Sequence, residues 1–433
     1  MQTQIETISS LERRLTLSLP SDSIEKEVSD RLKQLTRTVK MHGFRPGKVP
    51  LKLVQQQYGP QVRSEVIGDA VQKGFDQAVQ ENKLRVAGYP RIEPKDEADK
   101  SQIAFAATFE IYPEIKLGDV SGSKIERLAL IVADADVDKT IEILRKQRVT
   151  WAAVDRAAAE GDRVTVDFTG KLDGVEFAGG KGQMPIVLGE GRMLPDFEKG
   201  ISGMKTGESR TFDVKFPDDY SAENLKGKTA QFDATATAVE VPVLPEIDGE
   251  FAKSLGVADG DTDKMRTEVR GNVEREVAKR IEADLKNKVM QALTDSTPIE
   301  LPKSLVDMEI ERMVQSMRAD FEARGMKMDQ LPINPQMFEE QGRRRVSLGL
   351  IIGELVKVKE LKPKPDLVKK QIEDYAQSYE HPAEVVKWIY SDPQRYSEFE
   401  ALALEASVVK WVIDNAKVED KPIGFDELMA KAG

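Results

Sequence analysis

The chain has 433 residues and a formal charge of −11, with 64 Lys and Arg set against 75 Asp and Glu. That length exceeds a single hydrophobic core and calls for roughly two to four domains. Cysteine is absent, which excludes disulfides, thiolate metal sites and a cysteine nucleophile, and the two histidines, His42 and His381, argue against a histidine metal site or a Ser-His-Asp triad.

In chain order, Leu15 to Leu19 alternates with period two and predicts a strand. Ile24, Val28, Leu32, Leu35 and Val39 form one apolar stripe at helical spacing, with Lys33, Arg37 and Lys40 on the opposite face. Ile67, Val71, Phe75 and Ala78 mark a second helix, and Gln102 to Ile111 is rich in strand formers. Between these elements the local charge inverts. Arg31 to Ser64 holds eight Lys or Arg and no Asp or Glu, in a chain that is acidic overall. Its middle reads Gly43-Phe44-Arg45-Pro46-Gly47-Lys48-Val49-Pro50, where two glycines and two prolines break the helix and present an aromatic and two cations on a turn. Such a turn suits a polyanion with an apolar notch beside it. Spacing alone is equally satisfied by an ordinary solvated helix-loop-helix.

Pro113 and Gly118 interrupt the pattern, and Asp136 to Val149 predicts a short helix. From Trp151 to Glu240 the texture changes to short strands and frequent glycines: Val164 to Phe168, Thr211 to Val214 and Phe232 to Val239 read as strands, and Leu194 to Ile201 as one short helix. That pattern predicts a small α+β module. Beyond Pro242 the reading is helical. Val269, Val273, Val277, Ile281 and Leu285 share one face, as do Val306, Ile310, Met313, Met317 and Phe321, and again Phe399, Leu402, Ala406, Val409 and Ile413. Pro298, Pro302, Pro332, Pro335, Pro363 and Pro365 separate these helices. Val346 to Val358 is too short and too interrupted for a membrane span and reads as a buried helix, with Gly349 and Gly353 allowing close approach of a neighbour. The start, Met-Gln-Thr-Gln-Ile-Glu, has no basic region followed by an apolar core, so a cytosolic location is the expectation.

Six of the 14 methionines fall between Met308 and Met337 and offer either a core filling or an adaptable binding stripe. Three further signals fail on inspection. Gly227-Lys228-Thr229 has Ala222 where a phosphate loop needs glycine, Gly189-Glu190-Gly191 is followed by Leu194 where a dinucleotide loop needs glycine, and Asp134, Asp136 and Asp138 meet Lys139 and Arg145 where a calcium loop needs glycine and glutamate. No cofactor, nucleotide or metal is expected.

Gly43, Phe44, Arg45, Gly47, Lys48 and Pro50 match Gly-Phe-Arg-x-Gly-Lys-x-Pro, which resembles the ribosome-binding signature of the trigger factor family of bacterial chaperones. Pro46 stands where some members carry a further cation. The middle segment resembles the FKBP family of peptidyl-prolyl isomerases, through Val166-Asp167-Phe168-Thr169-Gly170, Ile186-Val187-Leu188-Gly189, Met193-Leu194-Pro195-Asp196-Phe197-Glu198 and Phe216-Pro217-Asp218-Asp219-Tyr220. By that resemblance Phe168, Phe177, Ile186, Met193, Leu194, Phe197, Tyr220 and Phe232 surround the substrate proline, with Ala178 where many members have an acid. Phe197 and Tyr220 are the two whose motif position and chemistry agree most closely.

The resemblance implies an α+β multidomain fold: a ribosome-binding α/β domain at 1–112, a linker at 113–150 packing on the C-terminal domain, an FKBP-like sheet-and-helix module at 151–242, and an all-α chaperone domain with helical arms at 243–433. It further implies an ATP-independent chaperone that binds the large ribosomal subunit, protein and rRNA, near the exit tunnel. Nascent and unfolded polypeptides are the implied partners, with no membrane, and with a homodimer away from the ribosome. Two rivals remain from the residues themselves: an RNA-binding ribosome assembly factor, and a plain prolyl isomerase with helical scaffolding.

Overall fold

A computed structural model describes residues 2–42, 44, 47–95, 101–220, 222–325 and 333–431. The expectations placed on Gly43, Arg45, Pro46, Met326, Met328 and Pro332 lie outside the described residues, as does the side chain of Ala178. The chain forms two compact units, one of residues 1–127 and 283–421, the other of residues 128–282 and 422–433.

In the first unit a four-stranded antiparallel sheet runs in the order Gln2–Thr7, Glu12–Pro20, Gln102–Ile111, Val86–Lys95. Leu15, Leu17 and Leu19 point to one face because side chains alternate along a strand, and all three are buried. The helices Ser21–Thr38 and Leu51–Glu81 cover that face with Ile24, Val28 and Leu32 from the first and Val54, Val62, Val66, Val71 and Phe75 from the second. Each such side chain contributes roughly 1.5–3 kcal/mol of burial, which is enough to carry Pro60 in the interior of the second helix. Phe75 meets Phe109 of the sheet edge-to-face, with centroids 5.1 Å apart.

Apart from a two-stranded ladder of residues 124–127 and 417–421, the regular structure in the rest of this unit is mainly helical: residues 283–296, then Lys303–Ala323, Glu339–Val358, Pro365–Ala376, Pro382–Tyr390 and Pro393–Asn415. Prolines open the last three, a position where the missing N–H costs nothing. Close approach does occur here, but not where it was expected. Gly349 and Gly353 face open space, whereas a Cβ on Gly342 would lie 2.9 Å from Ile310, and one on Gly118 only 1.7 Å from the Ser296 carbonyl oxygen. The methionines divide between both readings. Met313 is buried against Val314 and Phe338, Met317 is partly covered, and Met308 and Met337 are exposed.

The second unit holds a five-stranded antiparallel sheet built around the 15-residue strand Thr229–Val243. One edge of that strand pairs with Arg163–Leu172, which in turn pairs with Val175–Val187. Along the other edge lie Ser209–Lys215 and then Thr150–Ala153. A bulge between Ala236 and Ala238 shifts the alternation by one residue, so Ala230, Phe232, Ala234 and Ala236 face inward before it and Val239 after it. The helix Pro195–Ile201 packs Phe197 and Ile201 onto the sheet. A separate cluster of Val137, Ile141, Phe251, Met265, Val269, Val273 and Leu428 joins the helix Asp134–Gln147 to residues 262–282 and to the helix Phe425–Ala430. The three aspartates of the failed calcium pattern have structural work: Asp136 accepts the Ala133 N–H at 2.9 Å, while Asp134 and Asp138 pair with Arg270 and Arg266. Among the described residues no helix is long and apolar enough to cross a membrane.

Candidate functional site: an aromatic cup and an exposed basic turn

Phe232 is the hub of the second unit's sheet. Its flanking inward positions are alanines, which leave room for its ring. Around it stand Phe197 at 5.2 Å, Phe177 at 6.0 Å, Phe168 at 6.1 Å and Phe216 at 6.5 Å between centroids. Phe168 meets Phe197 edge-to-face at 5.9 Å. Such arrangements are favoured by the ring quadrupoles and hold the rings in fixed orientation. Gly170 is needed for this packing, since a Cβ there would lie 2.7 Å from Phe232 and 2.9 Å from Phe177.

All eight sequence-predicted residues therefore belong to one cluster. Phe168, Ile186, Phe197 and Phe232 are buried, and Phe177, Met193, Leu194 and Tyr220 are partly open at its side. Tyr220 leaves the tight turn that follows Phe216, with its N–H donating to the Pro217 carbonyl at 3.2 Å and its ring 4.8 Å from Phe216. Its hydroxyl has no hydrogen-bond partner among the described residues. The cluster is thus apolar, and Tyr220 brings a hydroxyl to its partly open side. Two contributors escaped the sequence reading as site residues. Phe212 backs Phe197 at 5.4 Å, and Phe216 bridges Phe177 at 6.2 Å to Tyr220. Inward alternation along Ser209–Lys215 was the only available signal for Phe212.

The floor is braced from behind. Asp162, 3% exposed, receives two bonds from Arg156, at 2.6 and 3.0 Å, and the Ala159 N–H at 2.8 Å, while its backbone carbonyl accepts the Leu188 N–H two residues beyond Ile186. Burial pushes the Asp162 carboxyl up, but the Arg156 and Ala159 hydrogen bonds and the Arg156 charge outweigh it, so the group titrates below its ordinary range. On the far strand the Thr211 hydroxyl and Lys171 ammonium lower Asp233 likewise. Arg163 lies over the Trp151 ring at 4.7 Å.

In the first unit the basic turn links the helices Ser21–Thr38 and Leu51–Glu81. Phe44 is 40% exposed. Gly47 takes φ +79°, a left-handed conformation that favours glycine, and Pro50 caps the second helix while buried Val49 anchors the turn. Lys48 and Pro50 are exposed. Of the surrounding cations, Arg31 pairs with Asp69, Lys33 with Asp30 and Arg63 with Glu25. Arg37, Lys40, Lys48 and Lys52 form no ion pair with any described residue, so four cations stay available in the segment that carries the exposed Phe44. Elsewhere in this unit Tyr375, Tyr379, Trp388 and Tyr390 expose large aromatic surface on two successive helices and their connection; Arg395 lies 3.9 Å from the Trp388 ring centre and Lys359 5.3 Å from that of Trp411.

An apolar aromatic cup in a five-stranded sheet with one short helix defines a prolyl isomerase of the FKBP class, and residues 154–239 match the family model of the FKBP-type peptidyl-prolyl cis-trans isomerase. Residues 1–144 match the model of the bacterial trigger factor protein, and residues 261–414 that of its C-terminus. The trigger factor of Nitrosospira multiformis is 54% identical over the full length of both chains, and that of Aromatoleum aromaticum 52% identical over the full length of both. A solved structure of the trigger factor chaperone aligns with 96% of this chain and 100% of its own length at 16% identity, with a TM-score of 0.46. On its full-length identities the chain belongs to the trigger factor family. It is a chaperone with peptidyl-prolyl cis-trans isomerase activity.

Proposed function

We propose that this chaperone docks on the large ribosomal subunit near the exit tunnel through the turn Gly43 to Pro50, holds emerging polypeptides without ATP, and isomerises their X-Pro bonds in the cytoplasm. The observation that carries the docking is the exposed Phe44 in the same helix-turn-helix segment as Arg37, Lys40, Lys48 and Lys52, which form no ion pair with any described residue, in a chain of charge −11. Cations of this kind bind RNA phosphates through counterion release, and the apolar ring supplies a contact that free RNA does not reward. Gly43, Phe44, Arg45, Gly47, Lys48 and Pro50 form the contact, in a docking domain of residues 1–112. The linker 113–150 and the helical region 243–433 form the chaperone body, where the exposed Tyr375, Tyr379, Trp388 and Tyr390 supply client contacts. Away from ribosomes the same apolar surface pairs two copies of the chain.

In the module 151–242 the substrate proline enters the cup of Phe168, Phe177, Ile186, Met193, Leu194, Phe197, Tyr220 and Phe232. The barrier to rotation is amide resonance, about 18–20 kcal/mol. An apolar cup strips water from the amide and favours the twisted, less dipolar state, so no nucleophile is needed. The free Tyr220 hydroxyl holds the substrate carbonyl at the rim.

The test is ribosome co-sedimentation of wild type against Phe44→Ala/Arg45→Ala/Lys48→Ala, with aggregation suppression and peptide isomerisation measured on the same proteins. Loss of sedimentation with both other activities intact is expected. A triple variant that still sediments at physiological salt overturns the docking. Tyr220→Phe is expected to lower isomerisation several-fold with unchanged unfolding, the size of one hydrogen bond in the transition state; an unchanged rate removes the hydroxyl from the mechanism.

A further inference from the structure

The strand Ser209–Lys215 of the second unit alternates, so Arg210, Phe212 and Val214 share the inward face while Ser209, Thr211 and Asp213 look out. A guanidinium on an inward face is costly unless its donors find acceptors. Arg210 finds them at the end of the helix Pro195–Ile201. It donates to the Ser202 carbonyl at 2.8 Å and the Gly203 carbonyl at 3.2 Å, and lies 3.5 Å from that of Gly200. Its Nε donates to Glu208 at 2.8 Å, and Glu208 in turn accepts the Lys205 N–H at 2.9 Å. Carbonyls at the end of a helix lack intrahelical partners, and the helix dipole there favours a cation.

The same strand grips the helix at two further points. Phe197, Gly200 and Ile201, three and four positions apart, lie on one helix face. Phe212 packs edge-to-face on Phe197 at 5.4 Å, and a Cβ on Gly200 would lie 2.4 Å from the Phe212 ring, so the helix approaches as closely as a glycine permits. At the helix start Asp196 accepts the Lys215 N–H at 3.1 Å. The helix therefore runs antiparallel to the strand and is tied at both ends, by Asp196 at its start and by Arg210 at its finish. Met193 and Leu194 directly precede the helix, and Lys215 leads straight into Phe216 and the turn that carries Tyr220. One strand thus sets the separation between the helix side of the aromatic cluster and its hydroxyl side.

We infer that Arg210 is a positioning residue of the isomerase, which ties down the end of the Pro195–Ile201 helix and so holds Phe197 and Leu194 in register with Tyr220. This role rests on the cup reading given above and adds to it a side chain that need not touch the substrate. A loosened helix still offers the same rings to a proline, so binding of the ground state is kept. What is lost is the fixed separation that the twisted amide must match, and an interaction realised only in the transition state appears in kcat.

The test follows isomerisation of a chromogenic peptide with one X-Pro bond, at concentrations spanning KM, on the full chain and four variants. The temperature is one at which near-ultraviolet circular dichroism shows every variant folded. Arg210→Met keeps the aliphatic stem and removes the donors; it is expected to lower kcat about tenfold, as for a small displacement of the catalytic geometry, with KM within about twofold of wild type. Arg210→Lys restores a charge without the planar fork and is expected to fall between the two. Thr211→Val deletes a bond to Asp233 on the outward face of the same strand, and is expected to lower the melting temperature while leaving kcat alone. A wild-type kcat in Arg210→Met, a lysine variant no better than methionine, a loss confined to KM, or an equal loss of rate in Thr211→Val overturns the proposal. Phe197→Leu separates the two failures: an unchanged rate there sinks the cup itself, whereas a rate lost in Phe197→Leu and kept in Arg210→Met sinks the role of Arg210 alone.

Discussion

The isomerase module and the C-terminal helices both spend aromatic residues, and they use them in opposite ways. Around Phe232, Phe197 and Phe177 pack edge-to-face at 5.2 and 6.0 Å and Phe168 packs tilted at 6.1 Å, and their mutual contacts fix the ring positions before any substrate arrives. On the helices Pro365–Ala376 and Pro382–Tyr390 and the connection between them, by contrast, Tyr375, Tyr379, Trp388 and Tyr390 leave close to half of their surface in water. A preformed cup suits one rigid group, the proline ring, presented many times. An open aromatic surface suits many different sequences held weakly. On the roles proposed above, burial rather than residue type separates the catalytic site from the holding surface.

The strongest way to break this comparison is Phe232→Ala. Removing the hub of the cluster costs about 3–5 kcal/mol, so denaturant unfolding should show the isomerase module melting early and peptide isomerisation should vanish. Aggregation suppression by the C-terminal helices should persist; its loss would mean that the two aromatic regions act as one. A middle-sized effect comes from the brace behind the cup. Asp162 titrates below its ordinary value when folded, so the folded chain favours the carboxylate and gains stability above the unfolded pKa of about 3.9. That gain is lost as pH falls through the still lower folded value. Asp162→Asn should therefore destabilise the module by roughly 1–2 kcal/mol at neutral pH, with the difference from wild type shrinking below about pH 4. A constant difference down to pH 2 would assign the bonds to geometry alone. The smallest effect on stability belongs to Trp388→Ala, whose side chain is 55% exposed. Unfolding should move by no more than about 0.5–1 kcal/mol, as for surface positions, while aggregation suppression drops measurably. Unimpaired suppression would take Trp388 out of the client surface.

Much of this was readable before the structure, and the exceptions have physical reasons. The helices with apolar residues every three or four positions, such as Ser21–Thr38 and residues 303–323, lay open because a single buried face imposes that period. The strands Gln2–Thr7 and Val86–Lys95 were missed because both lie at sheet edges. The first has Ile5 as its single apolar residue, and the second carries Gly88, Pro90 and Pro94 with most of its positions exposed, so neither shows an alternating pattern. In the cup, the eight residues suggested by resemblance do meet, yet Phe212 and Phe216 join them through packing that only the closed sheet creates. Gly349 and Gly353 mislead for a related reason. Small residues permit close contact without demanding it, and the contacts that demand glycine fall at Gly118 and Gly170.

The three tryptophans of the chain each lie beneath a cation, Trp151 under Arg163, Trp388 under Arg395 and Trp411 under Lys359. They also divide by region, with one at the isomerase sheet, one on the exposed aromatic surface and one against the helical core of Val289, Ile351 and Val412. The protein thereby contains its own optical labels. Single-tryptophan versions would report separately on each region through emission wavelength and iodide quenching, and a ligand that covers one region would darken or shift one signal while leaving the other two as internal standards.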